Sequence, residues 1–196
     1  MYYYFDFRDS KKQDCYGLLS SLILQHSVNS EPCSNILSKL YSNIGPVLKP
    51  TLIELKTCIK DMLRLAGQAP IYIVVDGVDE CPNSSATSSA RLEVLELIKE
   101  LIGLRLPNVH LCVASRPEID IRMVLGSLEP LRISLDEEIG HKADIIAFIE
   151  YMVHSNSMPG WTEKDQSLVI NTLSPKANGM YVPSEIDVTM FPILTS

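Results

Sequence analysis

Ile71-Tyr72-Ile73-Val74-Val75-Asp76-Gly77-Val78-Asp79-Glu80 is the stretch whose reading decides the fold. Five consecutive apolar residues, most of them β-branched, suit a strand buried on both faces of a parallel sheet. Acids follow at once. On the C-terminal side, Pro82 to Ser89 is a polar loop, and Ala90 to Leu104 carries Leu92, Leu95, Ile98 and Ile102 as a helix. Pro107-Asn108 then turns the chain into a second apolar strand, Val109 to Ala114.

The same pattern extends both ways. Tyr2 to Phe7 is aromatic-rich and reads as a strand. Helices are expected at Tyr16 to His26, after Pro32 to about Gly45, and from Thr51 to Leu65. Beyond the second apolar strand lie a short helix at Ile119 to Leu125 and a strand at Leu131 to Leu135. Two more helices follow, at His141 to His154 and Glu163 to Leu173. Strands alternating with helices predict an α/β fold with a parallel sheet. Val182 to Ser196 contains two prolines and no clear period, so an irregular tail is expected at 182–196 behind a domain at 1–181.

Ligands of open α/β sheets bind at the carboxyl ends of the strands. An apolar strand ending in Asp is the Walker B arrangement, in which the carboxylate holds magnesium on a nucleotide's phosphates. On that reading Asp76 is the metal ligand, and Asp79 or Glu80 orients or deprotonates a water. The alternative is a solvated acidic loop, with Gly77 merely serving the turn. Val113-Ala114-Ser115-Arg116-Pro117-Glu118 ends the neighbouring strand. Guanidinium matches phosphate oxygens bidentately, so Arg116 is a candidate reporter of a γ-phosphate. Its alternative is a structural arginine paired with Asp76 or Glu118.

Other chemistries find little support. The chain has 196 residues and a formal net charge of -7 with no Lys/Arg run, which argues against nucleic acid as a partner. Cys15, Cys33, Cys58, Cys81 and Cys112 are odd in number and widely spaced, and read as buried reduced thiols of a cytoplasmic protein. The start of the chain lacks the features of a signal peptide, and no apolar run is long enough for a membrane span. His26, His110, His141 and His154 share no metal-site spacing, and no G-x-S-x-G occurs. The P-loop G-x-x-x-x-G-K-[ST] is also absent from the sequence, and with it the backbone cradle and lysine for the β- and γ-phosphates.

Taken together, these residues resemble the NACHT family of STAND-class P-loop NTPases, particularly the fungal-type, nephrocystin-like N-terminal module of NOD-like receptors. Tyr4-Phe5-Asp6-Phe7-Arg8-Asp9 is similar to that family's second strand, Val74 to Glu80 to its Walker B, and Ala114 to Glu118 to its sensor motif. Leu173 to Met180 is similar to the segment leading into its winged-helix region, and Val182-Pro183-Ser184 departs from the pattern there. The resemblance implies Mg2+ with ATP or GTP as cofactor, self-association through the module, and a nucleotide-driven switch. It also implies a fragment: members carry a P-loop and first strand just before the segment that opens this chain. In the family's strand order that first strand lies between the sensor strand and Leu131 to Leu135. Its absence predicts a groove or a forced pairing at the sheet centre. Two further readings remain: an interaction module that binds no nucleotide, and an unrelated magnesium enzyme built on Asp76, Asp79 and Glu80.

Overall fold

The computed structural model describes residues 1–45, 48–83, 89–128, 131–134, 139–154, 161–174 and 187–192. Its elements are β1 (Tyr2–Tyr4), α1 (Cys15–Val28), α2 (Glu31–Ile44), α3 (Leu52–Leu63), β2 (Ile71–Asp76), α4 (Ala90–Gly103), β3 (Val109–Ser115), α5 (Ile119–Gly126), β4 (Leu131–Ser134), α6 (Ile139–His154), α7 (Glu163–Leu173) and β5 (Asp187–Pro192). The chain divides into two compact units, Met1–Arg132 with Val188–Ser196, and Ile133–Asp187.

The fold is α/β, as the alternation of strands and helices predicts. β1, β2 and β3 are parallel, with Tyr2 opposite Val74, Ile71 opposite Val109 and Val75 opposite Val113. Side-chain caps start α1, α3 and α4. Asp14 caps α1 by accepting from the Gly17 amide at 2.7 Å. Thr51 and Glu54 close a reciprocal capping box on α3, and Ser89 caps α4. α1, α3 and α4 bury Leu18, Leu22, Ile59, Met62, Leu95 and Ile98 in one core with Ile73, Val75, Leu111 and Val113 of the sheet. Lys56 of α3 reaches Glu100 of α4 at 2.9 Å, and Lys60 holds the same carboxylate.

Three expectations need correction. β2 is buried on one face only: Ile71, Ile73 and Val75 point into the helices, whereas Tyr72 and Val74 are 62% and 40% exposed. On that outer face Tyr72 stacks on His110 with ring centroids 4.9 Å apart, and Tyr4 carries the Lys12 ammonium over its ring. Tyrosine rings tolerate water at one edge, so an apolar run is no proof of two-sided burial. β1 is also shorter than expected. After Phe5, whose amide donates to the Asp76 carbonyl at 3.0 Å, the chain curls into a short 3-10 turn capped by Asp9.

The third correction concerns the tail. Residues 187–192 form β5, and the sheet order is β1-β2-β3-β5-β4. The C-terminal strand thus stands between β3 and β4, where a groove or a forced pairing was expected. Unpaired backbone groups there are costly, and Val188, Thr189 and Phe191 have the side chains that strands favour. The final part of the family resemblance, and the departure at 182–184, lie outside the described residues.

In the second unit α6 and α7 pack together. α6 buries Ile149 and Val153, and a capping box between Thr162 and Asp165 starts α7.

Candidate functional site

The acidic segment and the arginine motif leave the carboxyl ends of adjacent parallel strands, so they share one rim of the sheet. Asp76 is the last residue of β2 and is exposed to solvent. Gly77 turns the chain with φ +69°, a left-handed conformation, and its amide donates to the Ala114 carbonyl at 3.0 Å. This bond ties the two strand ends. Val78 then buries completely and pins a 3-10 turn spanning Val78–Glu80.

That turn sends its two acids in different directions. Glu80 Oε2 accepts from the Phe7 amide at 3.1 Å, fastening the loop after β1. Asp79 meets Arg116: Oδ1 accepts the Arg116 backbone N–H at 2.9 Å, and Oδ2 lies 3.4 Å from its Nε. The Asp79 side chain is 8% exposed and that of Arg116 41%. Arg116 therefore pairs with neither Asp76 nor Glu118, the partners its structural reading offered; its guanidinium keeps an open side.

A second arginine, which no sequence motif marks, holds the same turn. Arg91, in the first turn of α4, is buried at 8% exposure. Its Nη2 donates to the Asp79 carbonyl at 2.6 Å and its Nε to the Cys81 carbonyl at 3.0 Å, while Nη1 faces Asp120 of α5 at 3.4 Å. Asn83 donates to the same Asp120 carboxylate at 3.0 Å. A charge on the first turn of a helix reads as solvated, so only the carbonyls of a folded loop reveal this role. Cys81, between the two groups, is pushed up to about 12, chiefly by burial, with Arg91 working the other way.

The donor set limits the chemistry. Among the described residues no group of three or more His, Cys, Asp or Glu stands together to hold a metal ion. The magnesium enzyme built on Asp76, Asp79 and Glu80 finds no protein cage there, since Asp79 is held by Arg116 and Glu80 by the Phe7 amide. Magnesium carried by a nucleotide asks less, because phosphates and waters supply most of its ligands and one or two carboxylates suffice. The exposed Asp76 fits that smaller role. A cavity of about 430 Å3 lies at the other end of β2, lined by residues that include His26, Gln68, Ile71 and Tyr72. Among the described residues no helix is long and apolar enough to cross a membrane.

A family model described as nephrocystin 3, N-terminal, matches residues 1–116. No curated protein and no solved structure matches the chain.

Proposed function

Because the chain belongs to the nephrocystin 3 N-terminal family, whose match runs from β1 through Arg116, we propose that it is the magnesium-binding and phosphate-sensing half of a NACHT-type nucleotide switch. Asp76 holds Mg2+ on ATP or GTP, Asp79 or Glu80 orients the hydrolytic water, and Arg116 reads the γ-phosphate. One observation carries this reading: Asp79 and Arg116, which follow the ends of adjacent parallel strands, meet at 2.9 Å three residues after an exposed Asp76. Without a G-x-x-x-x-G-K-[ST] in its sequence the chain has no phosphate cradle, and on its own it hydrolyses neither nucleotide. A nucleotide-driven change in self-association is the output such a module gives when the cradle is supplied.

The test is calorimetric titration with Mg-ATP and Mg-ADP, of the chain alone and of a version carrying a P-loop segment ahead of Met1. Binding only in the longer version, weakened by Asp76→Ala, supports the reading. Micromolar affinity in the chain alone contradicts it, because the loop supplies most phosphate contacts in such sites.

A second reading, a protein-interaction module without nucleotide binding, is favoured by the open sheet face. Tyr2, Tyr4, Tyr72 and Val74 all stand exposed on it, and parallel sheets ordinarily have both faces covered. Absence of binding by either version directs attention to that face.

A further inference from the structure

We propose that Arg91 is the positioning residue of the Asp79–Arg116 pair, the post that holds the acidic turn in the one place from which it can capture the arginine. The purpose of the pair rests on the switch reading above, but the positioning itself is a property of the protein alone.

The geometry carries it. A turn of three residues, Val78–Glu80, has little structure of its own to fix where Asp79 points. Val78 anchors it from beneath, and the Gly77 amide anchors its start. Its exit is held by Arg91, which donates to the carbonyls of Asp79 and Cys81, the residues that bracket Glu80. The Arg91 amide also donates to the Pro82 carbonyl at 3.2 Å. A guanidinium is planar and forked, so satisfying two carbonyls with Nε and Nη2 fixes the orientation of both peptide groups together. The third direction of the fork, Nη1, faces Asp120 on the first turn of α5. That helix follows directly on the Arg116 motif. One buried cation thus fixes the turn that bears Asp79 against the helix that follows Arg116. A buried arginine is retained only where its donors find partners, and here each partner lies on one side or the other of the pair.

Amide hydrogen exchange followed by NMR on the full chain, without nucleotide, reads the pair directly, because the Arg116 amide donates to Asp79. Asp79→Ala sets the value for a broken pair. Arg91→Met keeps the length and apolar stem of the side chain while removing the donors. The expected result is an Arg116 amide that exchanges about tenfold faster or more, approaching the Asp79→Ala value. Over the same interval the amides of Val75 and Val113, in the strands behind, change by less than about threefold. Acceleration of all three in step would overturn the proposal, since Arg91 would then merely support the fold. An Arg116 amide that keeps its protection would overturn it equally. Should Arg91→Met not fold, Asp120→Asn decides. It leaves the two carbonyl bonds in place and loosens the ties of Arg91 and Asn83 to α5. Faster exchange at Arg116 alone supports the positioning role, and unchanged exchange overturns it. No nucleotide enters the measurement, so its failure counts against Arg91 and leaves the calorimetric test of the switch untouched.

Discussion

Asp79 captures Arg116 by its backbone before its side chain: the amide donates to Oδ1 at 2.9 Å, while Nε lies 3.4 Å from Oδ2. An arginine anchored through its amide keeps its position in the rim, and its side chain stays 41% exposed.

The two halves of this contact separate by mutation. Asp79→Ala removes an almost buried acceptor and leaves the Arg116 amide without its partner, which costs about 1–3 kcal/mol. Arg116→Gln keeps the amide bond and loses only a long, half-exposed ion pair, so the loss stays below about 1 kcal/mol. Urea unfolding of both variants measures the difference. Equal losses would mean that the ion pair, and not the amide bond, carries the contact.

Gly77 is a second fixed point. Its φ of +69° is one that residues with a Cβ adopt only at a cost, and a Cβ there would stand 3.4 Å from the Phe5 carbonyl oxygen. Gly77→Ala is expected to destabilise by about 1–2 kcal/mol. It should also raise amide exchange at Gly77's neighbours Val78 and Asp79 more than in α1. A stability within a few tenths of the wild type would show that the turn relaxes to a negative φ.

How much of this was legible in the sequence depends on what each residue answers to. The strand at Ile71 to Val75 and the rim formed by Asp76 and Arg116 follow from local runs of apolar residues ended by charge. The burial of β2 does not follow, because Tyr72 and Val74 are as apolar as their neighbours and differ only in which face the helices cover. Gly77 was readable as a turn. Arg91 was not, since its acceptors are the backbone carbonyls of Asp79 and Cys81, and no side-chain pattern records a carbonyl. β5 was hidden for a related reason: its six residues include a proline and have no period, and the strand owes its place to pairing partners far away in the chain.

The cysteines give a pH dependence of definite sign. Burial pushes Cys15 and Cys81 up to about 12 and Cys58 to about 11, from an ordinary 9.0. In the folded protein these thiols stay protonated where the unfolded chain ionises. Their contribution is therefore fully present below pH 9 and is lost as pH rises from there toward 11 and 12. The melting temperature should fall between pH 9 and pH 11, and Cys15→Ala should flatten part of that fall relative to its own value at pH 7. Alkylation of the native protein at pH 8 should mark the half-buried Cys112 ahead of Cys15 and Cys81. Labelling of Cys15 at the rate of Cys112 would contradict its burial.

The tail supplies the sharpest reversal between sequence and structure. An irregular 182–196 implies that its removal changes little. A strand at Asp187–Pro192 in the order β3-β5-β4 implies the opposite. Removing it withdraws the backbone partners of β3 on that side and separates β4 from the rest of the sheet. Each buried amide or carbonyl left without a partner costs about 1–3 kcal/mol, and water entering the gap recovers only part of it. For a chain of this size every 1 kcal/mol lowers the midpoint by about 2–4 °C. Deletion of 187–196 should thus lower the melting temperature by about 5 °C or more. Thr189→Pro tests the same pairing inside the intact chain, because a proline in the middle of a strand withdraws a ladder donor. It should reproduce much of the loss, whereas Ser196→Pro, outside the strand, should not. A deletion that leaves the midpoint within about 1 °C would return the segment to the irregular tail its composition suggests.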